Sequence, residues 1–92
     1  MSIIYLSGPI TGVPDYKDKF SQAACGLEMQ GFTVIDPSVE TEGLKPQDYI
    51  LISVARLMAA DAVYMLKGWQ TSKGAKIERL IAEYIGKEII EL

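Results

Sequence analysis

The chain has 92 residues, 49% of them hydrophobic, which suits one small domain spanning 1–92 with a modest core that dimerisation would extend. A net charge of -3 and a pI near 4.8 argue against the clustered positive face that duplex binding needs, so no nucleic-acid partner is expected, whereas a small anionic ligand on a local basic patch remains compatible. Cys25 is the single cysteine and histidine is absent, which removes disulfide frameworks, Cys/His metal sites and imidazole-dependent triads; no metal or cofactor is expected, and any chemistry falls to carboxylates, hydroxyls, lysines or backbone.

Met1-Ser2 leads straight into an apolar run without a basic leader, and no run approaches a membrane span, so the expectation is a cytoplasmic protein with no membrane partner. Ile3-Ile4-Tyr5-Leu6 has no periodic polar face, as in a parallel strand covered on both sides. Ser7-Gly8-Pro9-Ile10-Thr11-Gly12 breaks it. This stretch is either a turn whose amides and hydroxyls hold a phosphate or sugar, or an ordinary strand-to-helix loop; it matches neither the dinucleotide fingerprint nor a P-loop. From Asp15 to Gln30 the residues Tyr16, Phe20, Ala23, Ala24 and Leu27 recur at helical spacing, with Asp15 as a cap and Gly31 as the stop. Phe32–Ile35 is a second strand ended by Asp36-Pro37. Residues 36–46 form a loop, either a lid over a site or a solvated connection.

The spacing predicts a second helix over Gln47–Ala59, with Ile50, Val54, Leu57 and Met58 on its buried face. Ser53 falls on that face, where a hydroxyl usually bonds back into its own helix. Ala62–Leu66 is the third strand, and Asp61 at its mouth is a turn or cap residue. After the polar loop 67–72, the third helix, from about Lys73 to Ile85, is predicted to bury Ile77, Leu80, Ile81, Tyr84 and Ile85. Glu78 lies beside that stripe, in line with Ala75 and Ala82. About one turn into the helix, the dipole favours an ionised carboxylate there, and such a group is a potential nucleophile; on spacing alone, a solvated surface glutamate is the alternative. Gly86 stops the helix, and Glu88–Leu92 is the last strand.

These units predict an α/β fold: a Rossmann- or flavodoxin-like three-layer sandwich with a four-stranded parallel sheet of order 2-1-3-4 and right-handed crossovers. The carboxyl ends of strands one and three then bring the 7–12 and 68–74 loops to one edge, the expected site.

Taken together, Ile4–Gly12, Ala60-Asp61-Ala62-Val63 and Gly68–Glu78 resemble the nucleoside 2-deoxyribosyltransferase superfamily, most closely its small, often phage-encoded branch, over nearly the whole chain. The resemblance implies a Rossmann-like fold, a homodimer, and a nucleotide or nucleoside as the small-molecule partner. It implies that Glu78 attacks the anomeric carbon of a 2-deoxyribosyl group, the nucleophile half of a retaining glycosidase, and that Tyr5 hydrogen-bonds Glu78. Ser72 stands where the superfamily's 5′-monophosphate N-hydrolases carry a phosphate-binding serine, which points towards a nucleotide. Ser7, Gly8, Ile10, Thr11 and Gly12 of the first loop, with Ser53, Trp69 and Gly74, complete the implied substrate-binding set, and Lys73 and Lys76 add positive charge. Ser53 is also a departure, because relatives commonly carry an aspartate there that delivers a proton to the leaving base. Losing a general acid typically costs about 10²–10⁴-fold in rate. Asp48, five residues away and roughly 140° around the helix, is a poor substitute. Two functions follow: an N-glycosidase or deoxyribosyltransferase acting on a (deoxy)nucleoside 5′-monophosphate, or a nucleotide-binding module that kept the pocket without the acid.

Overall fold

A computed structural model describes residues 2–10, 12–39 and 45–91. The expected role of Thr11 and the middle of the expected 36–46 lid lie outside these residues. Four strands, β1 (Ile3–Ser7), β2 (Thr33–Ile35), β3 (Ala62–Met65) and β4 (Glu88–Glu91), form a sheet of order β2-β1-β3-β4, parallel throughout. This is the order expected from the sequence. Helices α1 (Tyr16–Met29), α2 (Pro46–Ala59) and α3 (Lys73–Tyr84) connect the strands. None of the described helices is long and apolar enough to cross a membrane.

The chain steps from β1 to β2 in one direction and then to β3 and β4 in the other. With crossovers of one hand this reversal sends α1 to one face and α2 and α3 to the opposite face. The pleat sorts the side chains to match. Ile4 and Leu6 of β1 pack with Phe20 and Leu27 of α1, while Tyr5, Val63 and Met65 pack with Leu57 of α2 and with Ala75 and Ala82 of α3. The sheet therefore separates two cores. At the amino-terminal edge Asp61 ties β1 to β3: its Oδ2 accepts from Ile3 N at 2.8 Å and its own amide donates to Ile3 O at 2.7 Å.

Both predicted glycine stops have a physical basis. Gly31 and Gly86 adopt positive φ, and the residue after each donates five positions back, Phe32 N to Leu27 O and Lys87 N to Ala82 O, closing a Schellman turn at each helix end. Helix α2 starts one residue earlier than expected because proline suits the first helical position. Asp15 does not cap α1 with its side chain: its backbone is not extended, and the chain enters the helix through a turn in which Tyr16 N donates to Val13 O.

The largest departure concerns α3. Ile77, Leu80, Tyr84 and Ile85 were the expected buried stripe, yet all four are exposed, Leu80 at 67% and Tyr84 at 91%. The helix instead lays Ala75, Glu78 and Ala82 against the sheet. Small side chains let its backbone approach β1 and β3, and the bulky stripe faces outward. Of that stripe only Ile81 packs partly on the core. Met58 of α2, also expected inside, is exposed as well.

Candidate active site

Residues two apart on a strand point to one face, so Tyr5 and Ser7 of β1 both face α3. Glu78, held over them by the close approach of that helix, accepts from each: Tyr5 Oη donates to Oε2 at 2.7 Å and Ser7 Oγ to Oε1 at 2.6 Å. Tyr5 and Ser7 are fully buried, and Glu78 is 8% exposed. Burial pushes the Glu78 carboxyl above its ordinary pKa, and hydrogen bonding from Ser7, Tyr5 and Ser53 opposes the rise. Burial and the adjacent Glu78 charge push the Tyr5 phenol far upward, so it remains a protonated donor across the physiological range.

The carboxylate opens into a cavity of about 740 Å³ at the carboxyl ends of β1 and β3. This is where the sheet's winding reverses, the place such folds leave open. Gly8 and Ile10 from the first loop, Ser53 from α2, and Ser72, Gly74 and Glu78 from the start of α3 all line it. The two loops are drawn together by a bond from Leu66 N to Ser7 O at 2.7 Å. Ser72 caps α3, its Oγ accepting from Ala75 N at 3.2 Å, which leaves the hydroxyl proton available to a ligand. Lys73 lines the cavity beside it.

Other expected members stand apart. Tyr5 and Ser7 lie behind Glu78 and do not line the cavity. Gly12 and Lys76 are exposed outside it. Trp69 packs half-buried on the core of its own chain, with the Arg79 guanidinium 5.0 Å from the ring centroid. Ser53 of α2 lines the cavity, and its hydroxyl bears on both Glu78 and Tyr5.

Pro37 and Ser38, in the segment expected either as a lid over a site or as a solvated connection, line the cavity, and so do Tyr16 and Tyr49, which were not expected there. No local pattern marks the two tyrosines, since they meet only when α1 and α2 assemble. The contact of Ser7 with Glu78 was legible in principle, from its two-residue spacing to Tyr5.

Among the described residues Glu78 is the only acidic side chain lining the cavity. A buried carboxylate with a neutral hydroxyl on each oxygen, facing a largely apolar space, can attack an electrophilic carbon or stabilise a cationic one. The paired acid of a two-carboxylate glycosidase is not among these residues.

Residues 2–91 match the model of a domain of unknown function, DUF4406. The fold is also that of a 2-deoxyribosyltransferase from the psychrotolerant bacterium Bacillus psychrosaccharolyticus, with a TM-score of 0.78 and 21% identity over 98% of this chain and 71% of that one. No curated protein matches the chain.

Proposed function

The chain belongs to the DUF4406 family, and from that footing we propose that it cleaves or transfers the N-glycosidic bond of a (deoxy)nucleoside 5′-monophosphate, with Glu78 as nucleophile and Tyr5 as its orienter. A carboxylate oxygen of Glu78 bonds to the anomeric carbon as the carbon–nitrogen bond breaks, its electron pair leaving on the base, which takes a proton from solvent. Water, or a second base in a transfer, then attacks the same carbon. The ester bond breaks, its electrons return to Glu78, and the attacking group loses its proton to solvent. The observation carrying this reading is the buried Glu78, bonded at both oxygens yet open to the cavity. A charge is rarely buried without a purpose that repays its desolvation.

At the 5′ end, Ser72, Lys73 and the amides opening α3 suit a phosphate. The outward apolar stripe of α3, with Leu51 and Met58 of α2, supports a homodimer packed through these two helices. Trp69 is occupied within its own chain and is not needed for that contact.

Ser53 favours a second reading, a nucleotide-binding module without turnover, because it puts a hydroxyl where proton delivery to the base calls for an acid. Incubation with the four deoxynucleoside monophosphates and their ribose counterparts, with chromatography for free base, separates the two. The enzyme reading requires base release that Glu78→Ala abolishes. Release that survives Glu78→Ala removes the mechanism, and binding without release selects the module.

A further inference from the structure

We propose that Ser7 is a positioning residue for Glu78, fixing the plane of the carboxylate and keeping it in the ionised form that attacks, rather than a residue that touches substrate. This inference rests on Glu78 being the nucleophile. Its basis is the geometry of the buried trio. The terminal torsion of a glutamate is broad and two-fold, so one donor on one oxygen leaves the carboxylate free to swing about its last bond. Tyr5 holds Oε2 and Ser53 adds hydrogen bonding to the carboxylate, but the strand donor on Oε1 is Ser7. Ser7 removes the freedom by donating to Oε1 at 2.6 Å.

The serine is itself immobile. It is fully buried, its backbone is paired in register with Met65 of β3, and its carbonyl accepts from Leu66 N at 2.7 Å. Its side chain does not line the cavity, so a ligand reaches Glu78 without touching it. The two donors are neutral and two residues apart on one strand, so they hold the carboxylate without a cation that would blunt its nucleophilicity. Burial raises the proton affinity of Glu78, and Ser7 is the foremost group opposing that rise. Without its hydroxyl, more of the glutamate would be protonated and unable to attack.

The test pairs Ser7→Ala with Ser7→Thr, which keeps the hydroxyl. Base release from a deoxynucleoside monophosphate is followed against pH, alongside carbon NMR titration of the Glu78 carboxyl in labelled protein. Ser7→Ala should lower kcat roughly ten- to a hundred-fold at neutral pH, the size of one charge-assisted hydrogen bond. KM should stay unchanged and the acid limb of the profile should move to higher pH. Ser7→Thr should restore much of the rate. The NMR titration of Glu78 should move upward in Ser7→Ala whether or not the protein turns over, so failure of the enzyme reading and failure of this one are told apart. An unmoved Glu78 titration in Ser7→Ala overturns the proposal, and so does a rise in KM with kcat unchanged, which would make Ser7 a substrate contact.

Discussion

Gly8 sits where the first loop leaves β1, and the structure supplies a reason for glycine there that involves no ligand. A Cβ at this position would lie 2.8 Å from Leu66 Cβ and 3.5 Å from both Leu66 Cγ and Phe20 Cζ. Carbon atoms normally settle at about 3.5–4.0 Å. The closest atom is itself a Cβ, fixed to its backbone, so a change of rotamer relieves nothing, and the bond from Leu66 N to Ser7 O resists separation of the two segments. Overpacking of this kind costs about 1–3 kcal/mol. Gly8 does not have positive φ, so alanine also loses less entropy on folding, which returns about 0.4–1 kcal/mol. The net loss for Gly8→Ala is about 1–2 kcal/mol, or roughly 5–15 °C in Tm for a domain of this size. Gly26→Ala is the matched control. It lies in α1, its Cβ would meet nothing within 4 Å, and the substitution should raise Tm by a few degrees, worth about 1 kcal/mol in a helix interior. Thermal melts followed by circular dichroism measure both. A Gly8→Ala protein melting at or above wild type would refute the packing account and return the glycine to ligand approach.

Glu78→Gln should abolish base release and stabilise the protein near neutral pH. Because burial holds the folded carboxyl above its ordinary value of 4.5, its contribution to stability is full below 4.5 and is lost as pH rises through the folded value. Urea midpoints at pH 4 and pH 7 should therefore show the glutamine variant gaining on wild type at the higher pH, by about 1.4 kcal/mol for each tenfold elevation in proton affinity; a constant difference would count against the burial argument. Ser72→Ala should cost about 1 kcal/mol through the lost cap and weaken 5′-monophosphate binding more than nucleoside binding; calorimetry showing equal losses for the two ligands would remove the phosphate role. Leu80→Lys, at an exposed position, should change stability by less than about 0.5 kcal/mol while dissociating the proposed homodimer in sedimentation at micromolar concentration. Wild type sedimenting as a monomer would dispose of that interface.

Much of the fold could be read directly because its signals are local. Short β-branched strands, glycine stops at 31 and 86, and helical spacing from Tyr16 to Leu27 each act within a few residues. The burial of α3 was misjudged because hydrophobic size and burial part company there. Ile77, Leu80 and Tyr84 have the greater apolar area, yet the sheet accepts the Ala75–Ala82 line, which alone brings the helix close enough for Glu78 to reach β1. Tyr5, Ser72 and Glu78 carried a signal because they sit in two ordered motifs, one running from β1 into its loop and one from the loop before α3 into that helix. Tyr16 and Tyr49 carried none, since they become neighbours only through tertiary assembly. Trp69, included through the resemblance, packs partly on the core with Arg79 beside its ring, a contact that only the tertiary structure reveals.

The alanine spine of α3 has a further consequence for how this chain tolerates change. Ala82 does not line the cavity, yet it acts as a shim of fixed thickness between helix and sheet. A valine there would lift the helix outward, and the carboxylate, tethered by only two methylenes, would lose its reach to Tyr5 and Ser7. The two sides of one helix are thus under unlike constraint: if the proposed homodimer packs on it, the outer side must keep a chemical character, while the inner side must keep a dimension. Over generations of drift, substitutions should collect as swaps among apolar residues on the outside and be refused by volume on the inside.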